Sequence, residues 1–157
     1  MPNFQKDLAR GQKGEEVICK RYKCSKSKDL RYDLISPKGR SWEVKSDDYD
    51  MTKTPNFFME CRSDKSKNTL GGPWRALNDN VELFSYLFVK NRKHYIWETK
   101  TLVERLEDIV AAMPLHEVEN KNNGKPYYTV GYKVPRKLLE YCCLRIDVIE
   151  EKYFNES

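Results

Sequence analysis

Residues 31–35 and 40–46 are two short runs of mixed apolar and polar residues, held apart by Ser36-Pro37-Lys38-Gly39. Proline presets one turn dihedral and glycine supplies backbone conformations closed to other residues, so this connection turns the chain sharply. A link that short joins antiparallel neighbours. The two runs therefore predict a β-hairpin around which the rest of the chain must fold. In the second run Trp42 and Val44 point one way while Glu43 and Lys45 point the other, because strand side chains alternate with period two. Asp33, in the first run, comes beside Glu43 across the turn.

Two neighbouring carboxylates repel each other unless a cation lies between them. Their hard oxygens suit Mg²⁺, with Mn²⁺ as a substitute. Such an ion needs few protein ligands and keeps waters for a substrate phosphate. Lys45, an amine two residues along on the same face, can orient or deprotonate an attacking water. A cation that acidifies water and neutralises phosphate charge, with Lys45 positioning the nucleophile, is what phosphodiester hydrolysis requires. The residues alone leave a blander reading open: Glu43 and Lys45 as an ordinary ion pair on an exposed strand, with Asp33 a hairpin residue.

Around the hairpin, residues 4–22 read as a helix with Leu8, Val17, Ile18 and Tyr22 as a partial apolar stripe, weakened by Gly11 and Gly14. The tract Asp47-Asp48-Tyr49-Asp50 opens a loop. A third strand is expected at 56–62, with Phe58, Glu60 and Arg62 on one face, where Glu60 could add a ligand, hold Lys45 or pair with Arg62. A glycine-rich loop follows at 63–73. Asn78 or Asp79 could cap a helix to Val89 that buries Val81, Leu83, Phe84, Leu87 and Phe88. Further on, the pattern predicts a strand at 94–97, a helix at 102–112, a polar loop at 120–125, a strand at 127–134, a short helix at 135–141 and an extended piece at 144–149. The order is that of an α/β fold with a mixed central sheet flanked by helices. Residues 1–157 form one domain, its core about 4–112 and a small α/β appendix at 113–157.

Composition narrows the function classes. The 157 residues carry 29 Lys+Arg against 24 Asp+Glu, a net charge of +5, which permits an acidic partner such as nucleic acid. No apolar run approaches a membrane span, and the first ten residues lack the apolar centre of a signal peptide, so a cytoplasmic protein is expected. The 5 Cys form no Cys-x-x-Cys pair and only 2 His are present, which argues against structural zinc or a disulfide framework. His94 reads as structural, His116 as a loop residue, and Cys142-Cys143 as small apolar side chains rather than a redox site. Tyr127, Tyr128 and Tyr132 leave a core strand, a stacking surface and a dimer contact equally open.

Arg31-Tyr32-Asp33-Leu34-Ile35, the turn, and Ser41-Trp42-Glu43-Val44-Lys45-Ser46 resemble the PD-(D/E)xK nuclease superfamily, the restriction-endonuclease-like fold. Lys13-Gly14-Glu15-Glu16 in the preceding helix is similar to the Gly-Glu signature of its Holliday-junction resolvase-like or phage-type branch. The likeness covers about residues 11–97, and Tyr32 stands where that motif has proline. The resemblance implies an α-β-β-β-α-β core and a Mg²⁺-dependent DNA endonuclease of a bacterial or phage-infected cell. It further implies Asp33, Glu43 and the Val44 carbonyl as metal ligands, Glu15 as the acid completing the site, and Lys45 as the residue acting on water.

Basic residues flank these acids in sequence. Lys13, Lys53, Thr54, Arg62, Lys65 and Arg75 are the expected contacts to DNA phosphates, with Gly71-Gly72 allowing close approach and Trp74 either stacking on a base or filling the core. Resolving a junction takes two symmetric cuts, which predicts a homodimer. The competing expectation is a non-catalytic nucleic-acid-binding or nuclease-fold accessory protein using the same basic surface.

Overall fold

The computed structural model describes residues 4–155, with side chains from Ala9 onward. Helix α1 (Phe4–Tyr22) spans the expected range. Short strands β1 (Ser25–Lys26) and β2 (Leu34–Ile35) lead into β3 (Ser41–Asp47). β1, β2 and β3 are successively antiparallel, which is the expected hairpin plus one short strand that polar residues had hidden. β3 runs on through Asp47, where a loop was expected.

The central sheet has 6 strands in the order β1-β2-β3-β6-β7-β10, with β6 (Leu83–Phe88), β7 (Lys93–Glu98) and β10 (Arg145–Val148). β6 lies parallel to β3, and the remaining neighbours are antiparallel, so the sheet is mixed. β6 corrects the helix expected up to Val89. All of its residues are buried, so both faces are apolar and no period distinguishes it from a buried helix. The helix of this region comes earlier, as α2 (Gly72–Asn78), starting in the last two residues of the stretch read as a glycine-rich loop and ending where the expected helix was to begin. Pro73 sits in its first turn, where the missing N–H costs nothing.

β4 (Asn56–Asp64) departs from the hairpin and enters a second, antiparallel sheet of 4 strands. Its order is β5-β4-β9-β8, with β5 (Thr69–Leu70), β8 (His116–Asn122) and β9 (Lys125–Pro135). The polar stretch expected as a loop is the tip of the β8–β9 hairpin. Asn123 and Gly124 turn it with φ of 52° and 77°, the left-handed pair that tight hairpins prefer. Within residues 113–155, β8 and β9 build the second sheet, and β10 extends the first.

Two apolar clusters hold these layers. On one face of the central sheet, Val17 and Ile18 of α1 pack on Leu34, Trp42, Leu83 and Leu87. On the other, Phe84, Tyr86, Tyr95 and Trp97 meet Phe57 and Met59 of β4 and Leu102 and Leu106 of α3 (Thr99–Val110). His94 is structural, as expected. It is fully buried, and burial drives its pKa down to about 3. The Tyr22 hydroxyl donates to Asp147 at 2.6 Å and lies 2.9 Å from His94 Nδ1. With its proton committed to Asp147, that hydroxyl accepts from Nδ1–H, which assigns the tautomer. Among the described residues no helix is long and apolar enough to cross a membrane.

Candidate active site

β2 pairs with β3 only at Ser41 and Trp42, so β3 has no strand neighbour on that side from Glu43 onward. Asp33, in the bend before β2, takes the vacant place. Its own N–H donates to the Trp42 carbonyl at 3.1 Å, and its carboxylate accepts the Val44 N–H at 2.8 Å. Amide and carbonyl of one strand residue point to the same side, so the Val44 carbonyl lies on this open edge as well.

Glu43 and Glu15 converge on Asp33 from different elements. Glu43, on β3, keeps only 17% of its side chain exposed. Burial, then the Asp33 charge and a hydrogen bond with Asp33, raise its pKa to about 9, while Arg75 pulls the other way. Glu15, on α1, is raised to about 7 by burial and then by Asp33. Its neighbour Glu16 is exposed and lies 3.9 Å from Lys26, so Glu15 is the helix acid that meets Asp33. Gly14 makes this approach possible. A Cβ there would stand 1.9 Å from Ser46 Oγ, so only glycine lets α1 lie this close to β3.

Lys45 lies on the Glu43 face, as alternation required. Its Nζ is 3.7 Å from Asp47. Asp47 is buried and accepts a hydrogen bond from the Tyr86 hydroxyl, which fixes its position. Glu60 faces Lys45 from β4. Burial raises the Glu60 pKa, while the Lys45 charge and a bond from the Gly72 N–H lower it. Glu43, Lys45, Glu60 and Arg75 share a pocket of about 120 Å³. Lys45 and Glu60 also line a wider cleft of about 480 Å³, walled by Arg10, Tyr49, Asn120 and Tyr127.

The expected phosphate-binding residues divide. Arg75 reaches the acids, with its guanidinium 4.0 Å from Glu43 and 3.5 Å from Asp79. Lys13 is exposed on α1, outside that cluster. Lys53 ends a turn closed on the Asp50 carbonyl, and the Thr54 carbonyl accepts from Arg136 at the far corner of β9. Arg62 does not share the Glu60 face. Glu60 opposes Gly131 and Arg62 opposes Val130, so Cys61 is a bulged residue that breaks the alternation. Arg62 bonds Asn68 at 2.8 Å, Lys65 pairs with Glu117, and both line a different cleft of about 750 Å³. Trp74 lines it too, donating to Glu107 at 2.7 Å and packing near Tyr132 rather than projecting as a clamp.

Sequence reasoning missed Asp47 and Arg10. Alternation from Lys45 could have found Asp47. Arg10, 3.1 Å from Asp48, lines the cleft through a long-range fold that carries no local signal.

Among the described residues no three or more His, Cys, Asp or Glu side chains form a ready cage for a metal ion. The donor chemistry still fits a hard divalent ion. Mg²⁺ takes one or two carboxylates and retains its waters; the upward shifts at Glu15 and Glu43 come first from burial and then from the Asp33 charge, and a cation would relieve the second. No protein-family model matches this chain, and no curated protein matches it in sequence.

Proposed function

We propose that this protein is a metal-dependent deoxyribonuclease, with branched recombination or repair DNA as its preferred substrate. The observation that carries the reading is the convergence of Glu15, Asp33 and Glu43, from three separate elements, beside Lys45. The strand order adds support. α1, the β1-β2-β3 meander, α2 and then β6 parallel to β3 follow the α-β-β-β-α-β order of a restriction-endonuclease-like core, with β4 and β5 inserted before α2.

Asp33 and Glu43 would hold the ion, with Glu15 and the Val44 carbonyl completing the donor set. When bound, such an ion neutralises phosphate charge and lowers the pKa of water. As an ammonium, Lys45 would donate to the attacking water to orient it and would offset negative charge building on the phosphate. Asp47, 3.7 Å from the amine, and the nearby Glu60 charge favour its protonated form and its place in the pocket. Arg75, once drawn from Glu43 by the incoming charge, can pair with the phosphate oxygens.

The deciding experiment is cleavage of branched and linear DNA with Mg²⁺, with Mn²⁺ and with chelator. The expected result is metal-dependent cutting that Asp33→Asn and Lys45→Ala abolish. Equal cutting by both variants removes the assignment. Salt-dependent binding without any cutting supports the non-catalytic reading instead.

A further inference from the structure

We propose that the outer face of the second sheet is a platform for single-stranded DNA, leading an unpaired arm of the substrate away from the acid cluster. The direction of that arm rests on the nuclease reading above; the choice of ligand rests on the chemistry of the sheet. Phe57, Met59, Val130 and Val134 turn one face of this sheet to the core. By alternation, Phe58 and Glu60 of β4, Tyr127 and Thr129 of β9, and Val118 and Asn120 of β8 share the opposite face. All six line the cleft of about 480 Å³. Glu60, Tyr127 and Thr129 also line a second cleft of about 640 Å³, so the two are successive parts of one groove. Lys45, Phe58 and Glu60 belong in addition to the small pocket of Glu43 and Arg75, which puts one end of the groove at the acids. The other end lies between Lys67, in the β4–β5 turn, and Lys125, at the tip of the β8–β9 hairpin. From Gly131, opposite Glu60, to Lys125 the groove follows β9 for about 20 Å, room for a few nucleotides.

The lining suits bases as well as phosphates. Tyr49 is 55% exposed, and Phe58 and Tyr127 are half-buried, so aromatic surface is open along the groove. Gly131 makes room for one of these rings, since a Cβ there would stand 2.7 Å from Phe58 Cζ. Asn120, opposite Tyr127, donates to the Val118 carbonyl at 3.1 Å and to Thr129 at 3.3 Å, which holds its amide in place. Arg10 and Lys45 supply cations near the acids, Lys67 and Lys125 at the far end. The carboxylates of the groove are engaged: Asp48 with Arg10, Asp47 with Lys45 and Tyr86, Glu60 with the Gly72 N–H, and Asp64 with Ser66. A duplex hides its bases in the stack and offers phosphates and groove edges. Rings and amides set between cations match a strand whose bases are free to stack on protein.

Fluorescence anisotropy of the full chain in chelator, where metal-dependent cutting is off, tests this. The probes are an oligothymidylate of about 15 nucleotides, a blunt duplex of the same length, and that duplex carrying a 3′ or a 5′ thymidine tail. The single strand and at least one tailed duplex are expected to bind about 10-fold or more tightly than the blunt duplex. Lys67→Ala with Lys125→Ala should lower the salt slope of single-strand binding by about 1.4, the share of two phosphate contacts. Tyr127→Leu should weaken that binding about 5-fold or more and leave the slope unchanged. Far-ultraviolet circular dichroism checks folding, and the two exposed lysines carry the test should Tyr127→Leu not fold. Equal affinity for blunt duplex and single strand, or single-strand binding indifferent to the lysine pair, overturns the platform. Failure of the nuclease reading looks different: single-strand binding with these dependences, in a chain that cuts nothing when Mg²⁺ is added, keeps the platform and removes the nuclease.

Discussion

The Asp33 carboxylate accepts the Val44 N–H at 2.8 Å, filling the position that a strand partner would occupy along the open edge of β3. Its charge is also the leading electrostatic cause of the upward shifts at Glu15 and Glu43. Asp33→Asn keeps an oxygen for Val44 and removes that charge. It is expected to raise the melting temperature of the metal-free protein while lowering DNA cleavage by about 100-fold or more. Thermal unfolding and single-turnover cleavage check the two halves, and a fall in both would mean that Asp33 is structural alone.

The same crowding makes stability depend on pH and on cation together. A carboxyl whose folded pKa is raised contributes stability that is fully present below its unfolded value and lost as pH climbs through its folded value. Glu15 and Glu43 rise from an ordinary value of 4.5 to about 7 and about 9. Metal-free protein should therefore lose stability across that window. Added Mg²⁺ should restore more at about pH 8.5 than at about pH 5.5, because ion and protons compete for the same oxygens. Thermal melts with Mg²⁺ and with chelator at both pH values check it. Equal stabilisation at the two would place the ion elsewhere.

Gly14→Ala drives a methyl into Ser46 Oγ and should cost about 1–3 kcal/mol, read by urea unfolding. Adding Ser46→Gly should recover part of the loss. Gly11 has open space around its missing Cβ, so Gly11→Ala should instead stabilise α1 by about 0.5–1 kcal/mol.

Glu60 accepts the Gly72 N–H and faces Lys45. Glu60→Ala strands that amide and is expected to destabilise the fold by about 1–3 kcal/mol. Glu60→Gln retains an acceptor and should keep the stability, yet cut more slowly because Lys45 loses a charged anchor. Denaturation and cleavage rates measured side by side separate the two roles.

His94 opposes the carboxylates in acid. Its pKa falls from 6.5 to about 3 because the charged ring cannot be solvated, so its contribution is present above the unfolded value and lost as pH falls toward the folded one. His94→Gln should flatten the loss of stability between those limits, as followed by acid titration of the far-ultraviolet circular dichroism.

What could be read along the chain was local. The turn at Pro37 and Gly39 and the two-residue alternation of β3 put Glu43 and Lys45 on one face with Asp33 across the turn, because both rules act within a few residues; that Asp33 sits in the bend before β2 and not in the strand was a tertiary outcome. Tertiary structure decided the rest. β6 looked helical because burial on both faces erases the period that would mark a strand. Arg62 left the Glu60 face because the bulge at Cys61 forms only when β4 finds β9, far along the chain. Glu15 joined the acids, and Lys53 and Lys65 did not, because such meetings depend on which surfaces close over the core. For Glu15 the closure is the contact of Gly14 with Ser46, where the absence of one methyl group decides how near a helix can lie to a strand.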